Sequence, residues 1–189
     1  LTDILQKTKI PRIRISSLGP QYLSAEFFEV FHDSRICDYL HLSIQSGSNE
    51  ILKSMRRNYT REDILRITEL AKKTRPNVAL ASDIIVGFPG ESILDFEQTC
   101  DLVQQFGFAK LHVFPFSPRA GTVANDMDEQ IPDKIKKSRA GRLRQIGSDL
   151  RRGFIEKNLG KTFEVLVEGD GSGLSSNYIS VKVPDGCRN

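Results

Sequence analysis

Three cysteines, three histidines and a few polar residues at strand ends are where this 189-residue chain could carry chemistry. Cys37, Cys100 and Cys187 are too scattered for a disulfide framework or a metal knot, which points to a reducing, cytoplasmic setting. No set of Cys, His and carboxylate residues has zinc spacing. His41 and His112 fall in mid-strand, and no Gly-x-Ser-x-Gly elbow accompanies them, so an acyl-transfer triad is not indicated. Four loops at 17–20, 45–48, 87–91 and 116–122 are more suggestive, because each contains glycine and follows a strand-like run. Glycine lets a ligand approach the backbone, and the helix N-termini that follow favour anionic groups. None is a P-loop or a dinucleotide fingerprint. Glu91, just after one of these loops, reads as a helix N-terminal charge rather than a general base.

The elements that position these loops can be read from periodicity. Arg12 to Ser16 alternates strictly and predicts a first strand. Ser24 predicts an N-cap, with Leu23 and Phe28 as a hydrophobic staple for a helix burying Phe27, Phe28 and Phe31. A second strand is expected over 39–44, then a short helix through Met55. Thr60-x-x-Asp63 and Ser92-x-x-Asp95 open two further helices, the first stopped near Arg75 by Pro76 and the second near Gly107. Between and after them come strands over 80–86 and 110–116. Strand and helix thus alternate four times, which argues an α/β fold with a parallel sheet, either open or part of a (β/α) barrel.

After Pro132 a long helix is expected, with Leu143, Ile146, Leu150 and Phe154 on one face and Gly141, Gly147 and Gly153 weakening it. From Lys161 the period changes to two: Phe163, Val165 and Val167, a Gly-rich turn, then Ile179, Val181 and Val183 predict a β-hairpin.

Parallel strands buried on both faces read as continuous apolar runs, and these do not. Leu40, Leu42 and Ile44 oppose His41, Ser43 and Gln45; Leu111 and Val113 oppose His112, Phe114 and Phe116; Asp83 is in line with Ala81 and Ile85. Helices dock on the apolar faces. The polar faces then line either a barrel lumen, where Arg14, His41, Gln45, Asp83 and His112 would suit a polar ligand, or solvated sheet edges.

Hydrophobic residues are 39% and charged residues 27%, ordinary for a globular protein, and no apolar run is long enough for a membrane span. The net charge of +3 is uneven: residues 131–160 hold nine Lys/Arg against three Asp/Glu. That segment is either a solvated helix face or the footprint of a polyanion.

These loops and strands also carry a resemblance. The stretches 40–48, 55–60, 82–91 and 111–122 are similar to the radical S-adenosylmethionine methylthiotransferases, in the right order and over about residues 10–160. The tail from Lys161 resembles the opening strands of a TRAM domain, a small RNA-binding β-barrel. The Leu111-His112-Val113-Phe114-Pro115 run most resembles members acting on threonylcarbamoyladenosine in tRNA. Relatives act on isopentenyladenosine or on a ribosomal-protein aspartate.

The resemblance implies a fold of three parts: the end of a (β/α) barrel with about four parallel strands over 1–130, a basic connecting helix over 131–160, and an incomplete TRAM-like β unit over 161–189. It implies S-adenosylmethionine and two [4Fe-4S] clusters in the full-length protein, one of which reduces S-adenosylmethionine to a 5′-deoxyadenosyl radical. The Cys-x-x-x-Cys-x-x-Cys that would hold that cluster is absent from this chain, so no catalytic residue or metal ligand is assigned, and the chain alone is expected to be inactive. Leu1 is expected to be a cut within the barrel. By matching positions, Gln45, Asp83, Ile85 and Phe116 are the residues expected against S-adenosylmethionine. Arg14 and Arg119 are expected to face an anionic substrate, and Lys136, Arg139 and Arg142 to contact tRNA phosphates, with Arg144, Arg151 and Arg152 on the same helix. A cluster-free RNA-binding module is the alternative. An unpaired edge beside the first strand would invite edge-to-edge dimerisation in such a truncated barrel.

Overall fold

The computed structural model describes residues 1–168, 171–184 and 186–187. A short helix α1 (Thr2–Lys7) leads into an extended segment that passes along the sheet, and α2 (Ala25–Val30) follows, capped by the Ser24 side chain as expected. The parallel sheet is built from β1 (Tyr39–Gln45), β2 (Ala79–Val86) and β3 (Lys110–Pro115), in that spatial order. Helices α3 (Asn49–Ser54) and α4 (Arg61–Thr74) connect β1 to β2, and α5 (Ile93–Phe106) connects β2 to β3.

Both predicted capping boxes form. Thr60 and Asp63 bond reciprocally at the start of α4, as do Ser92 and Asp95 at the start of α5. Helix α5 ends at Gly107 in the left-handed conformation, the usual glycine stop. The apolar strand faces (Leu40, Leu42, Ile44, Leu80, Ile84, Val86, Val113) pack with Ile64, Ile67, Phe96, Val103 and Phe106 of α4 and α5 in the main core.

The first predicted strand is corrected. Residues 12–16 form no regular strand; the segment touches β1 and its approach at two isolated parallel bridges, Ile13 to Ile36 and Leu18 to Leu42. Ile13 and Leu18 are five residues apart while their partners are six apart, so a continuous ladder cannot be kept. The parallel sheet therefore has three regular strands instead of four.

Helix α6 (Asp133–Glu156) runs 24 residues and packs on β3. Of its three glycines, Gly147 has a tertiary reason: a Cβ there would lie 3.1 Å from Leu111 Cβ, so the missing side chain sets how closely helix and strand approach. The C-terminal unit is an antiparallel sheet of β4 (Val165–Val167), β5 (Ser172–Ser175) and β6 (Ser180–Lys182). The expected two-stranded hairpin is corrected, because β5 lies between β4 and β6. Ser172-Gly173-Leu174-Ser175 has little strand propensity. Gly173 is there because a Cβ would meet Leu166 O at 2.9 Å and Val183 Cγ2 at 3.0 Å. The turn residues 169–170 lie outside the described residues.

Candidate functional site

The polar strand faces converge on one side of the sheet, opposite the helices. Alternation puts His41 of β1, Asp83 of β2 and His112 of β3 on that side, and the parallel register pairs Asp83 directly with His112. His41 Nε2 lies 2.8 Å from Asp83 Oδ1. The His41 and His112 rings stack nearly parallel, with centroids 5.3 Å apart. Ser17 of the extended segment pairs with Ser43 and reaches Asp83 Oδ2 at 3.4 Å. Burial holds the His112 imidazole below its ordinary pKa, helped by the nearby Lys110 and His41. These side chains make a half-buried polar belt across three adjacent strands, able to orient hydroxyl, amine or carboxylate groups.

Below the belt, toward the N-terminal strand ends, the face is closed. Tyr178 of the C-terminal unit packs on Tyr39 with ring centroids 4.5 Å apart, and the Arg14 guanidinium lies 4.1 Å from the Tyr178 ring centroid and 5.1 Å from that of Tyr39. Arg14 also donates to the Tyr178 hydroxyl. Cys37, Ala79, Ala81 and Ala109 complete this apolar floor. Arg14 therefore ties the β unit to the sheet, a role its strand pattern gave no sign of.

Above the belt, at the carboxyl strand ends, Gln45 ends β1 with φ 72°, a left-handed conformation that a non-glycine residue adopts only when its surroundings hold it there. Ile85 and Phe116 meet in one cavity of about 230 Å³, together with Met55, Phe88 and Met127. Phe88 meets Phe116 edge-on, centroids 5.1 Å apart. Of the four residues expected against a ligand, Ile85 and Phe116 share this cavity, Gln45 stands at a strand end, and Asp83 sits in the belt, bound by His41.

The loop 87–91 is fastened from beneath by α6. Glu91 is buried; its Oε2 accepts the Gly87 amide at 2.7 Å and the Arg139 guanidinium, which also donates to the Glu91 carbonyl at 2.9 Å. Burial raises the Glu91 pKa, opposed by the Gly87 amide and by Arg139. Glu91 is thus the loop's internal anchor, not an exposed helix-end charge. Gly87 has φ 73° and no room for a side chain, because Lys136 passes directly over it. The Lys136 ammonium lies 5.7 Å from the Phe116 ring centroid and 3.2 Å from Asp133.

The expectation that Lys136, Arg139 and Arg142 contact phosphates is consequently revised. Lys136 and Arg139 are buried, so neither side chain can reach a phosphate. Arg142 is exposed but forms a two-pronged pair with Glu97, and Arg152 pairs with Asp149. Arg119 is exposed on the strand-end loop, with no side-chain partner among the described residues.

A family model described as the radical SAM superfamily matches residues 1–103 of this chain. The chain belongs to the radical SAM superfamily. Solved structures share the fold: coproporphyrinogen III oxidase from Escherichia coli, titled a radical SAM enzyme, superposes with a TM-score of 0.59 at 19% identity over 72% of this chain and 32% of that one. Elp3 from the archaeon Methanocaldococcus infernus gives 0.58 at 18% identity over 78% and 42%. Curated relatives are more similar in sequence. The tRNA-2-methylthio-N(6)-dimethylallyladenosine synthase of Caldicellulosiruptor saccharolyticus is 38% identical over 93% of this chain and 39% of its own length. The threonylcarbamoyladenosine tRNA methylthiotransferase MtaB of Aquifex aeolicus is 36% identical over 96% and 45%. The chain thus spans about two fifths of the length of the curated relatives it matches.

Radical SAM proteins are expected to carry an iron–sulfur cluster, and among the described residues no cysteines come together to hold one. Cys37 and Cys100 are buried in separate apolar clusters, and burial pushes the Cys100 thiol up to about 11. A cluster ligand must be a thiolate. No helix among the described residues is long and apolar enough to cross a membrane.

Proposed function

We propose that this chain is part of a radical S-adenosylmethionine enzyme that places a methylthio group on a modified adenosine of tRNA, threonylcarbamoyladenosine beside the anticodon. The observation that carries this reading is the reach of the likeness. The family model stops at residue 103, whereas the likeness to two kinds of tRNA methylthiotransferase covers 93 and 96% of the chain and so takes in α6. The threonylcarbamoyl assignment rests on the resemblance of the 111–115 run alone.

S-adenosylmethionine, when bound, supplies the radical precursor and the methyl group. The residues of this chain would hold it. Ile85 and Phe116 offer apolar and aromatic walls for a purine. Gln45 and Asp83 offer an amide and a carboxylate for ribose hydroxyls or an ammonium. Arg119, free at the strand-end loop, would meet the anionic substrate.

The test is to express the full-length gene product, reconstitute it anaerobically and count iron. About eight irons per chain, two [4Fe-4S] clusters, is the expected result. About four would remove the sulfur-donating cluster from the account. None would leave the fold as a cluster-free scaffold for RNA.

A further inference from the structure

Strand β3 is an edge of the parallel sheet, and an unusual group of cations gathers beside it. An open groove of about 380 Å³ runs between β3, α6 and the C-terminal unit, lined by Lys110, Arg144, Ser148, Arg151, Tyr178 and Ser180 among others, with no carboxylate among the described residues of its walls. Arg144 donates to the Val113 carbonyl at 3.0 Å, and Arg151 makes long contacts to the Ala109 and Tyr178 carbonyls at 3.4 and 3.3 Å. Lys110 is exposed and has no acidic partner among the described residues.

Three like charges facing one groove repel each other, and a partly buried guanidinium without a counter-ion carries an uncompensated desolvation cost. Burial accordingly lowers the Arg151 pKa. Elsewhere on α6, Lys136, Arg139, Arg142 and Arg152 have carboxylate partners. Among the described residues, an anion is the missing component of this groove.

The strand also says what kind of anion. By alternation Lys110, His112 and Phe114 share one side of β3, leading from the groove past the polar belt toward the strand-end cavity that Phe116 lines. Phe114 is 51% exposed, a large aromatic ring in water on a strand edge. Cations that track a backbone, followed by aromatic rings open to bases, are the features that hold single-stranded nucleic acid.

We propose that this groove binds the sugar–phosphate backbone of an RNA strand running along β3, with the Phe114 ring receiving an unstacked base. This rests on the tRNA part of the proposed function and names the surface that part requires.

The experiment titrates an anticodon stem-loop RNA against the full chain, Lys110→Ala and Phe114→Ala at several salt concentrations. Both replaced side chains are exposed, so neither change should unfold the protein. Lys110→Ala should flatten the plot of log affinity against log salt by about 0.7–0.9, one phosphate contact, and weaken all RNA sequences alike. Phe114→Ala should weaken loop binding about tenfold and leave the slope unchanged. RNA bound with unaltered affinity and slope by both variants would overturn the groove while leaving the tRNA reading intact. RNA not bound by the unaltered chain would overturn both. Inorganic phosphate that saturates the Lys110-dependent site without displacing RNA would reduce the groove to a simple anion site and overturn the RNA assignment.

Discussion

Arg139 of α6 donates to the carboxylate of Glu91, and the two side chains are 9% and 0% exposed. Forty-eight residues apart in sequence, they join the last long helix to the loop that follows β2. Because Glu91 also holds the Gly87 amide, and Lys136 of the same helix lies over Gly87, α6 fixes the shape of the strand-end rim beside Phe116.

Removing one partner of that pair leaves the other buried and uncompensated. Arg139→Met alone should cost about 3–5 kcal/mol in urea unfolding, whereas Arg139→Met combined with Glu91→Leu should recover much of it. Equal losses in the single and double variants would contradict the pairing.

Gln45 holds a left-handed backbone at the end of β1. Gln45→Gly should relieve this strain and stabilise the chain by about 1 kcal/mol, while removing an amide the proposed site uses. Thermal unfolding and S-adenosylmethionine binding to the reconstituted full-length protein should therefore move in opposite directions.

Much of this fold was legible because its signals are local. Thr60 with Asp63, and Ser92 with Asp95, are three residues apart and specify helix starts whatever surrounds them. The apolar and polar faces of β1 and β3 follow from alternation within six or seven residues. The belt of His41, Asp83 and His112 was legible as a shared face, because strand period and parallel register suffice to align the three. What was not legible depends on distant partners. Arg14 meets Tyr178 across 164 residues, and Arg139 meets Glu91 across 48; no periodicity encodes either contact. The two bridges at Ile13 and Leu18 failed to become a strand through a one-residue mismatch with β1, which alternation within residues 12–16 cannot reveal. Strand β5 was hidden because its glycine reads as a turn while serving a close approach.

Asp63 accepts the Thr60 backbone amide, which lowers its pKa below the usual carboxylate value. The native carboxylate thus binds protons less readily than the unfolded one. Its contribution is present above the unfolded pKa, about 3.9, and is lost as pH falls from there through the lower folded value. Asp63→Asn should flatten stability against pH in that acid range, and Thr60→Ala should cost about 1 kcal/mol at neutral pH. An unchanged acid slope in Asp63→Asn would remove Asp63 from the account.

Tyr178 is the point where the C-terminal unit enters the sheet face, packed on Tyr39 and held by Arg14. Tyr178→Ala should destabilise by about 2 kcal/mol and speed proteolysis between α6 and β4. Arg14→Lys should reproduce part of the effect, since an ammonium cannot stack as a planar guanidinium does. A Tyr178→Ala variant with unchanged cleavage would mean the unit is held elsewhere.

The central claim is tested most directly on the product. Nucleosides from the tRNA of cells lacking the full-length gene should be compared by mass spectrometry with those of the parent strain. The account predicts that methylthiolated threonylcarbamoyladenosine disappears, that its unthiolated form accumulates, and that every other methylthio nucleoside is unchanged. An unaltered profile of methylthio nucleosides would contradict it.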